Sequence, residues 1–327
     1  MGKKLLRGAI GVLIKVLIFV SGVFFQCCIR LGIIRQVAAL GAKLGNSPRS
    51  KRRIFRKYTP GEHDIMVCTF SKSGTNWTLQ IVTQVAAYGE AEFEHIHDIV
   101  PWAEAQLLPY IVRLNEPTYE LAATGLRAVK THMEAEYVPY NEQAKYITVI
   151  RNPRDVIVSA WHFNRNLLPI VKDLSLEDFI DMHLAGHTIF GVWSQHTAGY
   201  WDWRDRSNVL VLFYEDMRRD LEGTVRKIAG FMGVDLTAGQ FARVVEKSSF
   251  QYMQNVDQKF APDIPGMTRN SGQPIMMRAG KSGAGKDELT PEQAARIDQA
   301  IIGQLREIGS DFPYAERYMR QKEAGVV

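Results

Sequence analysis

Four short apolar runs constrain the fold of this chain more than any other sequence feature. Each has six or seven residues, which suits a buried strand and is too short for a helix. The runs are Asp64–Thr69, Leu126–Thr131, Lys145–Arg151 and Val209–Tyr214. Helical spacing of apolar residues follows in Trp77–Tyr88, after Pro153 and in Glu222–Met232. The alternation predicts an α/β fold, with a mainly parallel, P-loop-like sheet flanked by helices.

The positive charge of the chain is concentrated in its first 57 residues. These contain thirteen of the 40 lysines and arginines and no acidic residue, so the formal net charge of +5 becomes −8 over the other 270 residues. The sequence therefore divides into a basic, apolar leader, residues 1–57, and a globular domain, residues 58–327. Because the domain is acidic, no nucleic-acid partner is predicted. Three cysteines and no zinc-type spacing predict no metal site.

Residues 8–29 of the leader form an apolar stretch whose only charged residue is Lys15. Its 22 residues match the length of about 20 that a membrane-crossing helix needs. The stretch predicts an N-terminal hydrophobic helix that anchors the protein in a membrane, with the basic run Asn46–Lys57 favouring a domain that faces the cytoplasm. Three alternatives stay open: a segment lying on the membrane surface, a cleaved targeting peptide and a soluble cytoplasmic protein.

The segment Thr69–Trp77, with the sequence TFSKSGTNW, joins the first predicted strand to the first predicted helix. Its small residues allow backbone N–H groups to face a ligand, and the helix N-terminus adds a positive dipole. Lys72 supplies a cation, and Thr75 and Asn76 supply side-chain donors. The segment predicts a cradle for phosphate or sulfate, although it lacks the Walker A spacing. A tight strand-to-helix turn without a ligand is the alternative.

Five further motifs follow this loop in order, and together the six resemble the cytosolic-type sulfotransferases. The loop is similar to the PKSGTTW phosphosulfate loop of that family. The others are VKTH at 129–132, RNPRDVIVS at 151–159, YEDM at 214–217, SSFxxMxN at 248–255 and RxGxxG at 278–283. The resemblance covers residues 65–312. It implies the sulfotransferase fold and an enzyme that uses 3′-phosphoadenosine 5′-phosphosulfate (PAPS) as co-substrate, without a metal.

The reaction implied by the resemblance moves a sulfuryl group from PAPS to an acceptor oxygen or nitrogen. As in phosphoryl transfer, the protein mainly positions the groups and neutralises developing charge. His132 is the expected general base, because histidine has a pKa suited to proton transfer near neutral pH. Lys72 and Lys130 are the expected cations at the leaving phosphate. Other histidines lack this motif context, so structural roles are expected for them.

The remaining motif residues are expected to bind PAPS. Ser73, Gly74, Thr75 and Asn76 would hold the 5′-phosphate together with Lys72. Arg151 and Ser159 would bind the 3′-phosphate, since arginine recognises phosphate with a fork of donors. The adenine would lie between Trp77 and Phe250. The further residues expected at the nucleotide are Tyr214, Ser249, Arg278 and Gly280.

The acceptor is predicted to be a small, lipophilic alcohol, phenol, amine or lipid. Trp102 occupies the place of an aromatic residue that lines the acceptor pocket in the family, and Trp161 and Phe163 are the other candidate lining residues. Aromatic side chains at these positions could equally belong to the core.

The sequence departs from the family pattern in its last motif. Ala284 and Gly285 stand where the family has Asp-Trp, and the extra glycine predicts greater mobility. Two other functions stay open: a P-loop small-molecule kinase or NTPase, and a non-catalytic, membrane-tethered nucleotide-binding protein. Arg154 and Asp155 are expected to form an ion pair on a helix surface.

Overall fold

The computed structural model describes residues 23–108, 110–167, 171–188, 191–262, 276–277 and 283–319. Within these ranges one four-stranded sheet has the order β2-β1-β3-β4, and all its strands are parallel. The strands are β1 (Asp64–Cys68), β2 (Arg127–Thr131), β3 (Lys145–Ile150) and β4 (Val209–Phe213). Each lies within one of the four apolar runs. The predicted α/β class with a parallel sheet is confirmed.

Thirteen helices with described bounds surround the sheet. The first seven are α1 (Ile34–Gly45), α2 (Pro48–Ile54), α3 (Thr75–Ala86), α4 (Pro153–Leu167), α5 (Leu176–Leu184), α6 (Trp193–Trp201) and α7 (Tyr214–Arg219). The others are α8 (Leu221–Met232), α9 (Ala238–Lys247), α10 (Phe250–Asn255), α11 (Ala284–Glu288), α12 (Pro291–Ile308) and α13 (Tyr314–Tyr318). A further helical segment covers residues 23–30.

The two faces of the sheet take alternate residues of each strand, because side chains along a strand point to opposite sides. Ile65 and Val67 of β1 pack in the hydrophobic cluster that includes residues of α3 and α8. Met66 and Cys68 face the opposite cluster, which holds Tyr200 of α6. All five residues of β1 are buried, as expected for a central strand with helices on both sides.

Strand register brings the predicted site residues to one edge of the sheet. Cys68, the last residue of β1, lies opposite Thr131, the last residue of β2. The loop after β1 and His132 after β2 therefore leave the sheet side by side. Arg151 follows β3 directly, and Tyr214 follows β4. All four strands thus end at a predicted site residue or loop, at the edge where parallel sheets bind ligands.

The second half of the leader packs against the globular domain. Ile34 is 3 % exposed and Phe55 is 5 % exposed, and both belong to hydrophobic clusters shared with the domain. Lys51 Nζ forms a buried ion pair with Glu134 Oε1 at 2.5 Å, and Arg35 pairs with Asp178 of α5 at 2.7 Å. Ile34, Arg35, Lys51 and Phe55 of the leader therefore contact the domain that was predicted to begin at residue 58.

Most of the predicted membrane-anchoring helix, residues 8–22 of the stretch 8–29, lies outside the described residues. In the part of the chain that the structure describes, every helix is either too short or too polar to cross a bilayer. Of the predicted stretch, the structure describes only residues 23–29, which are helical and place Cys28 in a core cluster.

Candidate active site

A cavity of about 530 Å³ opens at the carboxyl edge of the sheet. Its lining brings together most of the side chains that the motifs singled out. From the predicted catalytic and nucleotide-binding sets these are Lys72, Gly74, Thr75, Asn76, Trp77, Lys130, His132, Arg151, Ser159, Tyr214, Ser249 and Phe250. From the predicted acceptor set they are Trp102 and Phe163.

The loop between β1 and α3 turns sharply at Lys72 and Gly74, which both have positive φ (66° and 96°). A Cβ on Gly74 would lie 2.9 Å from the Tyr214 ring, so the close approach of loop and ring requires glycine. Gly74 precedes the first turn of α3 and has no side chain to cap it. The loop is fastened to the helix by a hydrogen bond of 2.6 Å between the Thr69 and Thr75 hydroxyls.

Two residues contact Lys72: Arg151 at the end of β3 and Phe163 on α4. The Lys72 carbonyl oxygen accepts a hydrogen bond of 2.8 Å from Arg151 Nη1, at the end of β3. Its ammonium nitrogen lies 4.1 Å from the centre of the Phe163 ring on α4, which is a cation–π contact. A cation and an aromatic residue of the predicted acceptor pocket are therefore adjacent in the cavity.

His132 is fixed in one tautomer by the backbone. Its Nδ1 lies 2.7 Å from the carbonyl oxygen of Thr69. A carbonyl oxygen can only accept, so Nδ1 carries the hydrogen and Nε2 of the neutral ring carries the lone pair. Burial, reinforced by the neighbouring Lys130, holds the pKa of His132 well below its usual value. The ring is therefore neutral near pH 7, as a proton acceptor must be.

Lys130 also lines the cavity, and it is buried. Its ammonium nitrogen lies 3.6 Å from the centre of the Trp102 ring. Burial lowers the pKa of Lys130 to about 7, while Glu104 opposes that change and Lys72 adds to it. A bound anion would favour the charged form of this lysine.

Arg151 has unused hydrogen-bonding capacity inside the cavity. Its guanidinium stacks over the Tyr214 ring at 4.2 Å, and its Nε atom is buried without a hydrogen-bond partner. An unpaired buried donor is costly, so a ligand acceptor at this point would be stabilising. Ser159, the seventh residue of α4, lines the same cavity.

The aromatic residues expected at the adenine are held in different ways. Trp77 is fixed, because its Nε1 donates to the Ser248 carbonyl oxygen at 2.7 Å and its ring meets Tyr214 edge-on at 5.9 Å. Phe250, at the start of α10, is 37 % exposed. The Ser249 hydroxyl accepts from the Tyr252 N–H and so caps α10, which places Ser249 and Phe250 together at the cavity.

Two predicted residues that the structure describes, Trp161 and Ser73, do not line the cavity. Trp161 does not line the cavity: its Nε1 donates to the Leu174 carbonyl oxygen at 2.9 Å, and its ring packs beside a core cluster. Since Trp161 and Phe163 are two residues apart on α4, they point in different directions. Ser73 is a buried residue of the loop, and its hydroxyl has no hydrogen-bond partner. Arg278 and Gly280 lie outside the described residues.

Sequence reasoning missed the role of Asp155 in holding the last motif. Its two carboxylate oxygens accept hydrogen bonds from the N–H groups of Gly283 (2.9 Å) and Gly285 (2.8 Å). Arg154, expected to pair with Asp155, instead binds Asp298 of α12. A Cβ atom on residue 285 would lie 2.9 Å from the Cβ atom of Arg154. Glycine at this position, where the family has tryptophan, therefore permits close packing against Arg154.

The cavity also contains polar residues that the motifs did not indicate. His97, His162 and Asn166 line it beside Phe163 and Trp102. His162 Nε2 contacts the Glu288 carboxylate of α11. The sequence gives a partial indication of His162 and Asn166. They lie three and seven residues after Ser159, and residues at these spacings share one face of a helix.

Comparison with known proteins agrees with this arrangement. A family model described as "Sulfotransferase domain" matches residues 62–309. Sulfotransferase 2A2 of Mus musculus is 31 % identical over 254 residues, which cover 76 % of this chain and 86 % of that protein. Sulfotransferase 1C2 of Oryctolagus cuniculus is 27 % identical over 258 residues, covering 76 % and 85 %. A retinol dehydratase structure with androsterone and the inactive cofactor PAP has a TM-score of 0.62 at 26 % identity, covering 81 % and 86 %.

The parallel sheet, the anion-type loop and the basic cavity at the strand ends define an α/β group-transfer enzyme. The match of the family model to most of the chain makes the class more specific. The chain belongs to the sulfotransferase family, which confirms the resemblance drawn from the six motifs.

Proposed function

We propose that this chain transfers the sulfuryl group of PAPS to a hydroxyl or amine of a small, lipophilic acceptor. The observation that carries the proposal is the grouping of a neutral His132, fixed with its lone pair on Nε2, with Lys72, Lys130 and Arg151 in one cavity. The buried and unpaired Arg151 Nε fits a ligand with several acceptor oxygens. PAPS has such oxygens on both of its phosphate-bearing positions.

The residues of the chain have distinct roles in this proposal. PAPS supplies an electrophilic sulfuryl group attached to a phosphate leaving group. His132 Nε2 accepts the proton of the acceptor hydroxyl as its oxygen attacks. Lys72 and Lys130 place positive charge where the leaving phosphate oxygen becomes negative. Thr75, Asn76 and the first N–H groups of α3 hold the 5′-phosphate, and Arg151 with Ser159 holds the 3′-phosphate.

A lipophilic acceptor is supported by the aromatic residues on its side of the cavity. Trp102 and Phe163 each contribute a ring, and each ring contacts one of the two lysines. An apolar acceptor would therefore pack against the same rings that hold the cations near the leaving group. The similar retinol dehydratase structure holds androsterone, a lipophilic small molecule.

Nucleotide binding tests the proposal directly. In calorimetry on the full chain, 3′-phosphoadenosine 5′-phosphate is expected to bind, with 5′-AMP and ATP much weaker because they lack the 3′-phosphate. Arg151→Ala should weaken binding by roughly 10- to 100-fold, the range expected from a hydrogen bond to a charged group. Arg154→Ala is the matched control, since Arg154 binds Asp298 rather than the cavity. Preferential binding of ATP would favour the kinase or NTPase function instead.

We also propose that the leader binds an anionic membrane surface. Eight of its described basic residues are exposed: Arg30, Arg35, Lys43, Arg49, Arg52, Arg53, Arg56 and Lys57. Beside them Leu40 and Leu44, four residues apart and so on one face of α1, are 61 % and 70 % exposed. Exposed leucines flanked by bases, with no acidic residue, are typical of a surface-lying helix.

Vesicle binding tests this role of the leader. The full chain is expected to sediment with vesicles containing phosphatidylserine and much less with phosphatidylcholine alone, because each base adds about 1 kcal/mol near an anionic surface. The double variant Leu40→Ser/Leu44→Ser should reduce sedimentation by about tenfold or more. Leu107→Ser is the control, since Leu107 is 96 % exposed and lies outside the leader. Equal loss in both variants, or no lipid dependence, would reject the proposal.

A further inference from the structure

Glu104 lies beside the two catalytic candidates of β2, although no motif indicated it. It belongs to a 3₁₀ turn, Ala103–Ala105, that follows Trp102. That turn is attached to the edge of β2, because the Lys130 N–H donates to the Pro101 carbonyl oxygen at 2.8 Å and Trp102 pairs with Lys130 in a parallel bridge. The attachment brings the Glu104 carboxylate to the end of β2.

The Glu104 carboxylate holds the backbone at the end of β2. Its Oε1 atom accepts a hydrogen bond of 2.8 Å from the Thr131 hydroxyl and another from the backbone N–H of His132. Its Oε2 atom is shielded from solvent and has no hydrogen-bond partner. A shielded carboxylate with an unsatisfied oxygen is costly unless a nearby positive charge compensates it.

Lys130 is the cation that can compensate this carboxylate. The ionisable groups around the Lys130 ammonium are Glu104, Lys72 of the loop after β1, His97 and His132. The histidines are neutral, and Lys72 repels the ammonium, so Glu104 is the group that favours its charged form. The Glu104 carboxylate also acts on the Cys68 thiol and the Tyr200 hydroxyl, whose pKa values are raised by burial and also by Glu104.

We propose that Glu104 is a positioning residue of the active site, which fixes the backbone bearing Lys130 and His132 and keeps the Lys130 ammonium charged for the leaving phosphate. The inference rests on the proposed sulfotransferase function, because it assigns Lys130 its role there. The geometric basis is the hydrogen bonding of Glu104 to Thr131 and His132, the two residues that follow Lys130. An opposite charge near a buried cation typically changes the pKa of the cation by 1–3 units.

The pH dependence of Glu104→Gln tests this inference. Glutamine keeps the shape and one acceptor oxygen for Thr131 and His132, but removes the charge. Lys130 is charged below its pKa of about 7 and neutral above it. In the unmodified enzyme kcat/KM should therefore decrease as the pH rises through about 7, and this decrease is the alkaline limb of the pH profile. In Glu104→Gln that limb should move to lower pH by about 1 unit or more, and activity should approach the unmodified value as the pH is lowered.

Two further variants separate charge from structure. Glu104→Asp keeps the charge, so its limb should stay near that of the unmodified enzyme even if kcat falls. Thr131→Val removes one hydrogen bond to the carboxylate and should also leave the limb in place. A uniform loss of activity in Glu104→Gln with an unmoved limb, or an equal movement of the limb in Glu104→Asp, would overturn the inference.

A readout without turnover distinguishes this inference from the proposed function. The affinity of 3′-phosphoadenosine 5′-phosphate would be measured by calorimetry between pH 6 and pH 8.5. As the pH rises, this affinity should begin to decrease at a lower pH in Glu104→Gln than in the unmodified chain. If the unmodified chain binds this nucleotide but transfers no sulfuryl group, the proposed function fails while the pH dependence still decides the role of Glu104. Identical pH dependence in both proteins rejects that role.

Discussion

Replacing His132 with alanine is expected to lower kcat by about 100- to 10,000-fold, the usual contribution of a general base. The reason is that Nε2 of the neutral ring would no longer accept the acceptor's proton, while the Thr69 carbonyl that orients the ring stays in place. The KM for PAPS should change little, since the proposed phosphate contacts involve other residues. Steady-state kinetics with PAPS and a phenol such as 4-nitrophenol would measure both quantities.

His63 supplies a matched control for this experiment. Its Nδ1 also lies 2.9 Å from a backbone carbonyl oxygen, that of Gly125, but its ring stacks on Tyr119, at the amino-terminal edge of β1 and β2 rather than at the cavity. His63→Ala should leave kcat within about twofold, as is usual for substitutions away from the core and the site. A His132→Ala enzyme that still binds the nucleotide and retains most of its kcat would exclude His132 as the base.

Replacing Lys72 with methionine is expected to lower kcat by about 100- to 1,000-fold, the range found when one preorganised charge-stabilising group is removed. Methionine keeps most of the apolar stem that packs near Phe163 but removes the cation. The loss should appear mainly in kcat, because charge develops on the leaving phosphate oxygen as the bond breaks. Rapid-quench measurement of a single turnover would locate the effect in the chemical step.

Lys145 is the control for the lysine variant. It also places its ammonium over a phenylalanine ring, at 5.6 Å from Phe231, and donates to the Phe231 carbonyl oxygen. It begins β3 and so lies at the edge of the sheet opposite the cavity. Lys145→Met should therefore affect stability rather than kcat. A Lys72→Met enzyme with unchanged kcat and a raised KM for PAPS would assign Lys72 to binding alone.

The strands and the loop were predictable because their signals are local. Each strand lies in a short apolar run, fully buried in β1 and β2, buried from its second residue in β3 and partly buried in β4. The loop combines glycine, serine and lysine at a strand end. His132 comes directly after β2 and Arg151 directly after β3. Because the strands are parallel, the topology alone places both residues at the carboxyl edge of the sheet. Once the strands are assigned, the parallel sheet leaves little freedom in where these residues go.

The residues that sequence reasoning missed depend on contacts between distant segments. Asp155 binds N–H groups 128 and 130 residues away in the chain, and Glu104 binds His132 across 28 residues. Trp161 was a candidate for the acceptor pocket or for the core. The side of α4 that faces the cavity is set by how α4 packs on α5 and α11. No pattern within a single segment carries this information.

The Lys51–Glu134 ion pair has a consequence for the order of events during synthesis. Its members are 83 residues apart, and ribosomes add roughly 5–20 residues per second. Roughly 4–17 seconds therefore pass between the synthesis of Lys51 and the synthesis of Glu134. The interval between Arg35 and Asp178 is longer. Throughout that interval the apolar leader has no domain to pack against, so chaperones or targeting factors can bind it before the enzyme itself exists.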